Sequence, residues 1–251
     1  MRYAVLSDIH GNLDALTAVL EACTAAQVER FLCLGDVVGY GAEPAACVER
    51  LAALNALVVA GNHEHGCLGK LDPDWFNDAA KAALLWTREQ LGFGELDYLR
   101  RYPLTQTEGP FTLVHGTLRH PERFEYLVDL AQAVDTFKAC RTLICLAGHT
   151  HQPCVVEYDR TAQRVLRVLT DPAALADVSY TDDAEHRRYL LNPGSVGQPR
   201  DGDPRASYAL VDTAQQRFSV QRVAYAVGAA QEKIRQAGLP HFLAERLAVG
   251  R

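Results

Sequence analysis

Short apolar runs recur through the first part of the chain, and each ends in glycine together with aspartate, asparagine or histidine. Tyr3-Ala-Val-Leu6 leads into Ser7-Asp8-Ile9-His10-Gly11-Asn12, and Phe31-Leu-Cys-Leu34 leads into Gly35-Asp36. Leu57-Val-Val-Ala60 is followed by Gly61-Asn62-His63-Glu64, and Phe111-Thr-Leu-Val114 by His115-Gly116. Leu143-Ile-Cys-Leu146 precedes Ala147-Gly148-His149-Thr150-His151. Runs of this length, bounded by turn formers, predict buried strands. Between the first two, Leu13, Leu16, Val19 and Leu20 recur at helical spacing and predict a helix over about 12–26. Pro44 suits the first turn of a second helix reaching about Leu54. The order β-α-β-α-β predicts parallel strands joined by right-handed crossovers.

Residues 73–92 carry Trp75, Phe76, Ala79, Ala83, Leu84 and Leu91 in a helical pattern that breaks at Gly92. A shorter helical piece around 95–101 stops before Pro103. This segment, about 73–102, directly follows the third loop. It reads either as a cap over or beside a cleft or as a plain packing helix. Another amphipathic helix is expected at 129–140. After residue 153 short strands follow one another, at 155–158, 165–168, 189–191, 207–211 and 218–222, which suggests a second, largely antiparallel sheet. Residues 171–187 are polar and acidic and read as a solvent-exposed loop or insertion. A helix at 226–237 and a tail helix after Pro240 complete an α/β chain read as one domain, 1–251, with no internal repeat or linker.

Charge and cysteine content narrow the function. A net charge of -6 and a pI near 5.8 give no basic footprint for long nucleic acid, while small phosphorylated ligands remain open. The seven cysteines (23, 33, 47, 67, 140, 145 and 154) show no CxxC and no disulfide framework, and read mostly as small core residues. No apolar run approaches the ~20 residues that span a bilayer. The chain starts in a strand rather than a basic, apolar leader. The expectation is a soluble, cytoplasmic protein without a membrane partner, with homo-oligomerisation left open.

Open α/β sheets gather ligand sites at the carboxyl ends of their strands, so the five loops are expected to converge. They would bring together Asp8, His10, Asp36, Asn62, His63, His115, His149 and His151. Carboxylates, imidazoles and an amide oxygen suit divalent Mn, Fe or Zn, and no cysteine lies in these loops. The donors suffice for two ions, with a carboxylate bridging them at about 3.5–4 Å.

The ordered blocks Asp8-Ile-His10, Gly35-Asp36, Gly61-Asn-His-Glu64, His115 and Gly148-His-Thr-His151 resemble the signature of the calcineurin-like metallophosphoesterases, over about residues 1–200. The resemblance implies two facing mixed sheets flanked by helices. It implies that Asp8, His10 and His151 bind one metal ion, that Asn62, His115 and His149 bind a second, and that Asp36 bridges. It further implies attack by a metal-bridging hydroxide on phosphorus, with His63 donating a proton to the leaving oxygen and Glu64 holding the ring. A structural hydrogen bond is the alternative role for His63. His65, His120, His186 and His241 lie outside the blocks and read as surface or loop histidines, His65 being the nearest.

Members such as the protein phosphatases and symmetric dinucleoside tetraphosphatases carry Gly-Asp-x-Val-Asp-Arg-Gly at the second block. This chain has Gly35-Asp36-Val-Val-Gly-Tyr40-Gly and lacks that phosphate-gripping arginine. Leu191-Asn-Pro-Gly-Ser-Val-Gly-Gln-Pro-Arg200 is similar to a block of small bacterial and archaeal phosphodiesterases. It makes Asn192, Ser195 and Arg200 candidate substrate contacts, although Asn-Pro-Gly is also a turn former. Tyr40 is a further candidate, to stack on a base or simply to pack. The function expected is hydrolysis of small phosphodiesters, nucleotides among them. The alternatives are a monoesterase using the same site and an inactive scaffold; a nuclease fits the acidic balance poorly.

Overall fold

The computed structural model describes residues 1–251. β1 (Arg2–Leu6), α1 (Leu13–Ala25), β2 (Arg30–Cys33), α2 (Pro44–Ala53) and β3 (Leu57–Val58) form the expected alternation. Next come α3 (Asn62–Cys67), α4 (Asp78–Gln90), α5 (Phe93–Arg101), β4 (Thr105–Glu108), β5 (Phe111–Val114), α6 (Leu130–Ala139) and β6 (Ile144–Ala147). Then follow β7 (Cys154–Asp159), β8 (Arg164–Leu169), α7 (Pro172–Leu175), β9 (Val178–Ser179), β10 (Arg187–Asn192), β11 (Ala206–Asp212) and β12 (Arg217–Val223). α8 (Val227–Gln236), α9 (His241–Glu245) and a last helical turn, Arg246–Val249, close the chain.

Two six-stranded mixed sheets result, in the orders β3-β2-β1-β11-β12-β9 and β4-β5-β6-β10-β7-β8. β1, β2 and β3 are parallel, as are β5, β6 and β10. The later strands therefore do not make a sheet of their own. β11, β12 and β9 extend the first sheet while β10, β7 and β8 extend the second. Alternation of side chains fixes which layer each strand serves. Tyr3 and Val5 of β1 point between the sheets, with Leu113, Ile144, Tyr189 and Phe218. Ala4 and Leu6 point outward to Leu16, Val19 and Leu51 of the covering helices. α6 packs on the outer face of the second sheet through Ala133 and Phe137. No helix is long and apolar enough to cross a membrane.

Three departures from the sequence reading have physical causes. Residues 171–187 are not simply an exposed loop. They hold α7 and β9, and Leu175, Val178 and Tyr180 are buried in the core between the sheets. β4 was not expected because Thr105-Gln-Thr-Glu108 is wholly polar. It is an edge strand on β5, half exposed, where polar side chains face water. The Gly61-Asn-His-Glu segment opens a helix rather than a plain loop. The buried residues of α3 are His63, Glu64, Gly66 and Cys67, so no hydrophobic period announces it. Of the cysteines, all are unpaired and all but Cys154 are buried, as small core residues should be.

Candidate metal centre

Most donors reach the pocket through a sharp reversal at a strand end. Asp8, His10, Asp36, Tyr40, His149 and His151 all have φ between 50° and 68°, the left-handed region that non-glycine residues avoid. Each such residue costs on the order of 1 kcal/mol, strain tolerated when the surroundings hold it for function. Glycines clear the remaining space. A Cβ on Gly61 would lie 2.1 Å from Asp36 Oδ1, and one on Gly148 would lie 2.0 Å from Ser7 Oγ and 3.0 Å from Asp8 Oδ2.

Two donor clusters result, buried except for Asn62, which is partly exposed. In the first, His151 Nε2 stands 3.2 Å from Asp8 Oδ1 and 3.2 Å from His10 Nε2. In the second, His115 Nε2 stands 3.2 Å from Asp36 Oδ2, 2.9 Å from His149 Nδ1 and 3.2 Å from Asn62 Oδ1. Asp36 Oδ2 also lies 3.7 Å from His10 Nε2, which joins the clusters through one carboxylate. His10, Asp36 and His63 form a further compact group, so His63 borders the donors directly.

Backbone carbonyls fix the rings. Nδ1–H of His10 donates to Val38 O at 3.1 Å, that of His115 to Leu34 O at 2.7 Å, and that of His151 to Gln198 O at 2.6 Å. Each bond turns Nε2 inward, the arrangement that orients metal-binding imidazoles. Asp8 Oδ2 is held by Ser7 Oγ at 2.5 Å and His149 N at 3.0 Å, whereas Oδ1 is buried without a hydrogen-bond partner. An orphaned carboxylate oxygen facing the inward nitrogens of His10 and His151 suits a divalent cation.

The charge states agree. Burial depresses His10, His151 and His149, the last to about 3, so these rings are neutral at pH 7, as ligands must be. Burial also pulls on His115, but the adjacent Asp36 carboxylate overcomes it and raises the ring to about 9. A cation in the second cluster must displace that proton. Burial opposes ionisation of Asp8 and Asp36, yet the imidazoles beside them hold both carboxyls below their usual range.

Glu64 does not hold the His63 ring. Its Oε2 accepts from Gly61 N at 2.7 Å and Asp36 N at 2.8 Å, and its Oε1 accepts from Val37 N at 2.8 Å and Val38 N at 3.3 Å. It ties the second and third loops together. Burial and repulsion from Asp36 push its carboxyl up to about 7, while those amides favour the ionised form. The His63 ring lies instead among Tyr40, His10 and Phe76, at centroid distances of 4.6, 4.8 and 5.1 Å. Its Nδ1 is buried without a partner, and burial lowers the ring to about 4.

Two of the substrate candidates are occupied inward. Asn192 Nδ2 donates to Gly148 O at 2.9 Å and Thr150 Oγ1 at 3.0 Å, and its Oδ1 accepts from Gly194 N at 2.9 Å. Ser195 Oγ donates to Asp8 O and accepts from Gln198 N, both at 2.7 Å. Both brace the metal loops and have no group left for a ligand. Tyr40 is buried and packs its ring between His10 and His63. Arg200 remains available, with its Nε buried and unpartnered. Among the outlying histidines, His65 packs on Phe124, His120 lies 3.6 Å from Glu122, His186 lies 3.0 Å from Asp183, and His241 is exposed.

Sequence reading missed the aromatic cover over the second cluster. Tyr126 lies flat on His149, 3.8 Å away at 16°, and Phe124 stands edge-on to His115 at 6.1 Å. Both belong to the connection before α6, which has no motif and no apolar period to mark it. Tyr126 also opens a cleft of about 430 Å³, lined by Leu127, Leu130, Pro153 and Val156 and reaching Thr150 between the two histidines.

Two facing mixed sheets with helices outside, and a buried cluster of histidine and aspartate at their strand ends, define a metallophosphoesterase sandwich. The chain belongs to the calcineurin-like phosphoesterase superfamily, whose domain model matches residues 1–216. It is 40% identical to the uncharacterized protein MJ0912 of Methanocaldococcus jannaschii, over 99% of this chain and 98% of that one. The crystal structure of a metallophosphoesterase from Sphaerobacter thermophilus superposes with a TM-score of 0.85 at 39% identity, covering 100% of this chain and 99% of that one. A symmetrical bis(5'-nucleosyl)-tetraphosphatase of Dechloromonas aromatica is 33% identical over 130 residues, 46% of this chain and 43% of that protein.

Proposed function

We propose that the chain is a metal-dependent phosphodiesterase for small substrates, working with two divalent ions of the Mn, Fe or Zn type. Asp8, His10 and His151 would hold one, and Asn62, His115 and His149 the other, with Asp36 shared. The observation that carries this reading is Asp36 Oδ2, placed within 3.7 Å of one cluster's His10 and 3.2 Å of the other's His115. Bound there, such ions supply Lewis acidity toward phosphate oxygens and make water acidic enough to ionise near neutrality. The chain's own contribution is to orient the phosphate and to meet the leaving oxygen. His63, neutral at pH 7, offers that oxygen the N–H of an imidazole. Phe76 stands edge-on to the His63 ring at 5.1 Å, which supports residues 73–102 bordering the site on that side. A diester has a second arm, and the cleft between Tyr126 and Thr150 is where an apolar arm fits.

The test compares Mn-loaded enzyme on bis-p-nitrophenyl phosphate and on p-nitrophenyl phosphate. Faster turnover of the diester is expected. A strong preference for the monoester makes the protein a phosphatase, and inactivity with no stoichiometric metal makes it a scaffold. His63→Ala is expected to keep its metal, measured by plasma emission. It should lose roughly a hundredfold in rate on alkyl esters and less than about tenfold on nitrophenyl esters. Equal losses on both would remove His63 from the leaving-group side.

A further inference from the structure

Four large apolar side chains that remain in water lie together rather than scattered. Tyr126, Val128 and Leu130, leading into α6, are 47%, 74% and 55% exposed, and Val168 of β8 is 45% exposed. All four line the cleft of about 430 Å³ that Tyr126 opens. Its floor is the outer face of the second sheet at its open edge, where Val156 of β7 is paired directly with Val168. One wall is α6, which turns Leu130 and Ala133, three residues apart, to the same side. A grouped apolar surface of this kind on a soluble domain marks a place where something binds.

The cleft begins where the cover of the second donor cluster ends. The Tyr126 ring lies on His149 at a centroid distance of 3.8 Å and also borders the cleft, so the two are one ring apart. Thr150, between His149 and His151 in the chain, lines it too. The Thr150 hydroxyl is already engaged, accepting from Asn192 Nδ2 at 3.0 Å and donating to Gln152 O at 3.3 Å. Charge narrows what the cleft can hold. No lysine, arginine or histidine lines it, and its two carboxylates belong to Asp129 and Asp201. Asp129 caps α6 by accepting from Gln132 N at 2.8 Å, and Asp201 pairs with Arg222. An anionic group would meet carboxylates there and no cation. An uncharged hydrocarbon would take the exposed valine, leucine and tyrosine surface out of water.

We propose that this cleft selects the substrate, and that the arm it takes is an uncharged alkyl or aryl group rather than a second phosphate. Val168 and Leu130 are the residues that set this preference, one from the floor and one from the wall. The proposal rests on the phosphodiesterase reading above, because the donors must hold the phosphate for the arm to reach past Tyr126.

Hydrolysis of methyl, butyl and hexyl p-nitrophenyl phosphate by Mn-loaded protein tests the subsite, since all three release the same phenolate from similarly reactive esters. For wild type, kcat/KM is expected to rise about tenfold or more from methyl to hexyl, through KM rather than kcat. Val168→Asp should lower the hexyl-to-methyl ratio of kcat/KM about fivefold or more, by placing a charge on the floor. Leu130→Asp is the second variant, with the same result expected, should melting show that Val168→Asp is not folded. A flat wild-type series, or a ratio unchanged in the folded variant, overturns the proposal. A flat series together with a wild-type dimer that Val168→Asp dissociates, seen by sedimentation, would give the patch to a second copy of the chain. No turnover of any ester would reject the phosphodiesterase reading instead. Calorimetric titration with dihexyl and dimethyl phosphate then decides on the cleft. A dihexyl preference lost in Val168→Asp supports it, and equal binding or none overturns it.

Discussion

Asp36→Asn is expected to leave the protein folded and its metal centre largely unloaded. The amide oxygen can keep the bond that Asp36 Oδ1 accepts from His63 N at 2.9 Å, so the loop stays in place. The amide nitrogen then falls where Oδ2 was, 3.2 Å from His115 Nε2 and 3.7 Å from His10 Nε2. A donor in that position binds the inward lone pairs that the site needs. The negative charge between the two clusters is lost as well. Metal content by plasma emission should fall from the two ions per chain proposed for the wild type to one or fewer, and turnover should fall about a thousandfold, the scale of losing a preorganised electrostatic partner. Full metal content in the purified variant would show that Asp36 is not shared.

Glu64→Gln should be the most destabilising single-atom change in the site. Both carboxylate oxygens are engaged by backbone amides of the second and third loops, and a glutamine presents two N–H groups to one pair of them. Leaving buried donors facing donors costs about 2–4 kcal/mol. For a chain of this size that is a fall in melting temperature of roughly 5–12 °C. Metal loading should weaken too, because the same amides belong to the segments carrying Asp36 and Asn62. Thermal unfolding monitored by circular dichroism decides the matter. An unaltered midpoint would mean that Glu64 is protonated in the folded protein, since glutamine mimics the neutral acid.

The strand ends were legible because apolar runs stop abruptly at Asp8, Asp36, Asn62, His115 and His149, and a strand-end ligand must combine a buried approach with a polar tip. What periodicity could not supply was pairing. Val155–Tyr158 and Ser207–Val211 alternate alike, yet one joins the second sheet and the other the first. That choice is made by packing between sheets, through residues such as Tyr189 and Phe218 that meet only in the fold. The same limit applies in the site. Glu64 was placed beside its sequence neighbour His63, but consecutive residues of a helix face different directions, and its carboxylate turned to the Asp36 loop. Asn192 and Ser195 have the chemistry of ligand contacts, but hydrogen-bond satisfaction is spatial, and their partners Gly148 and Asp8 lie far away in the chain.

Tyr126 is half exposed and lies flat on His149, while Asp8, His10, Asp36, His115 and His151 are at most 2% exposed. Tyr126 therefore shields the second cluster on the side of His149. Tyr126→Ala should speed the removal of metal from the folded protein by a chelator, and an unchanged rate would show that the ring does not shield the site.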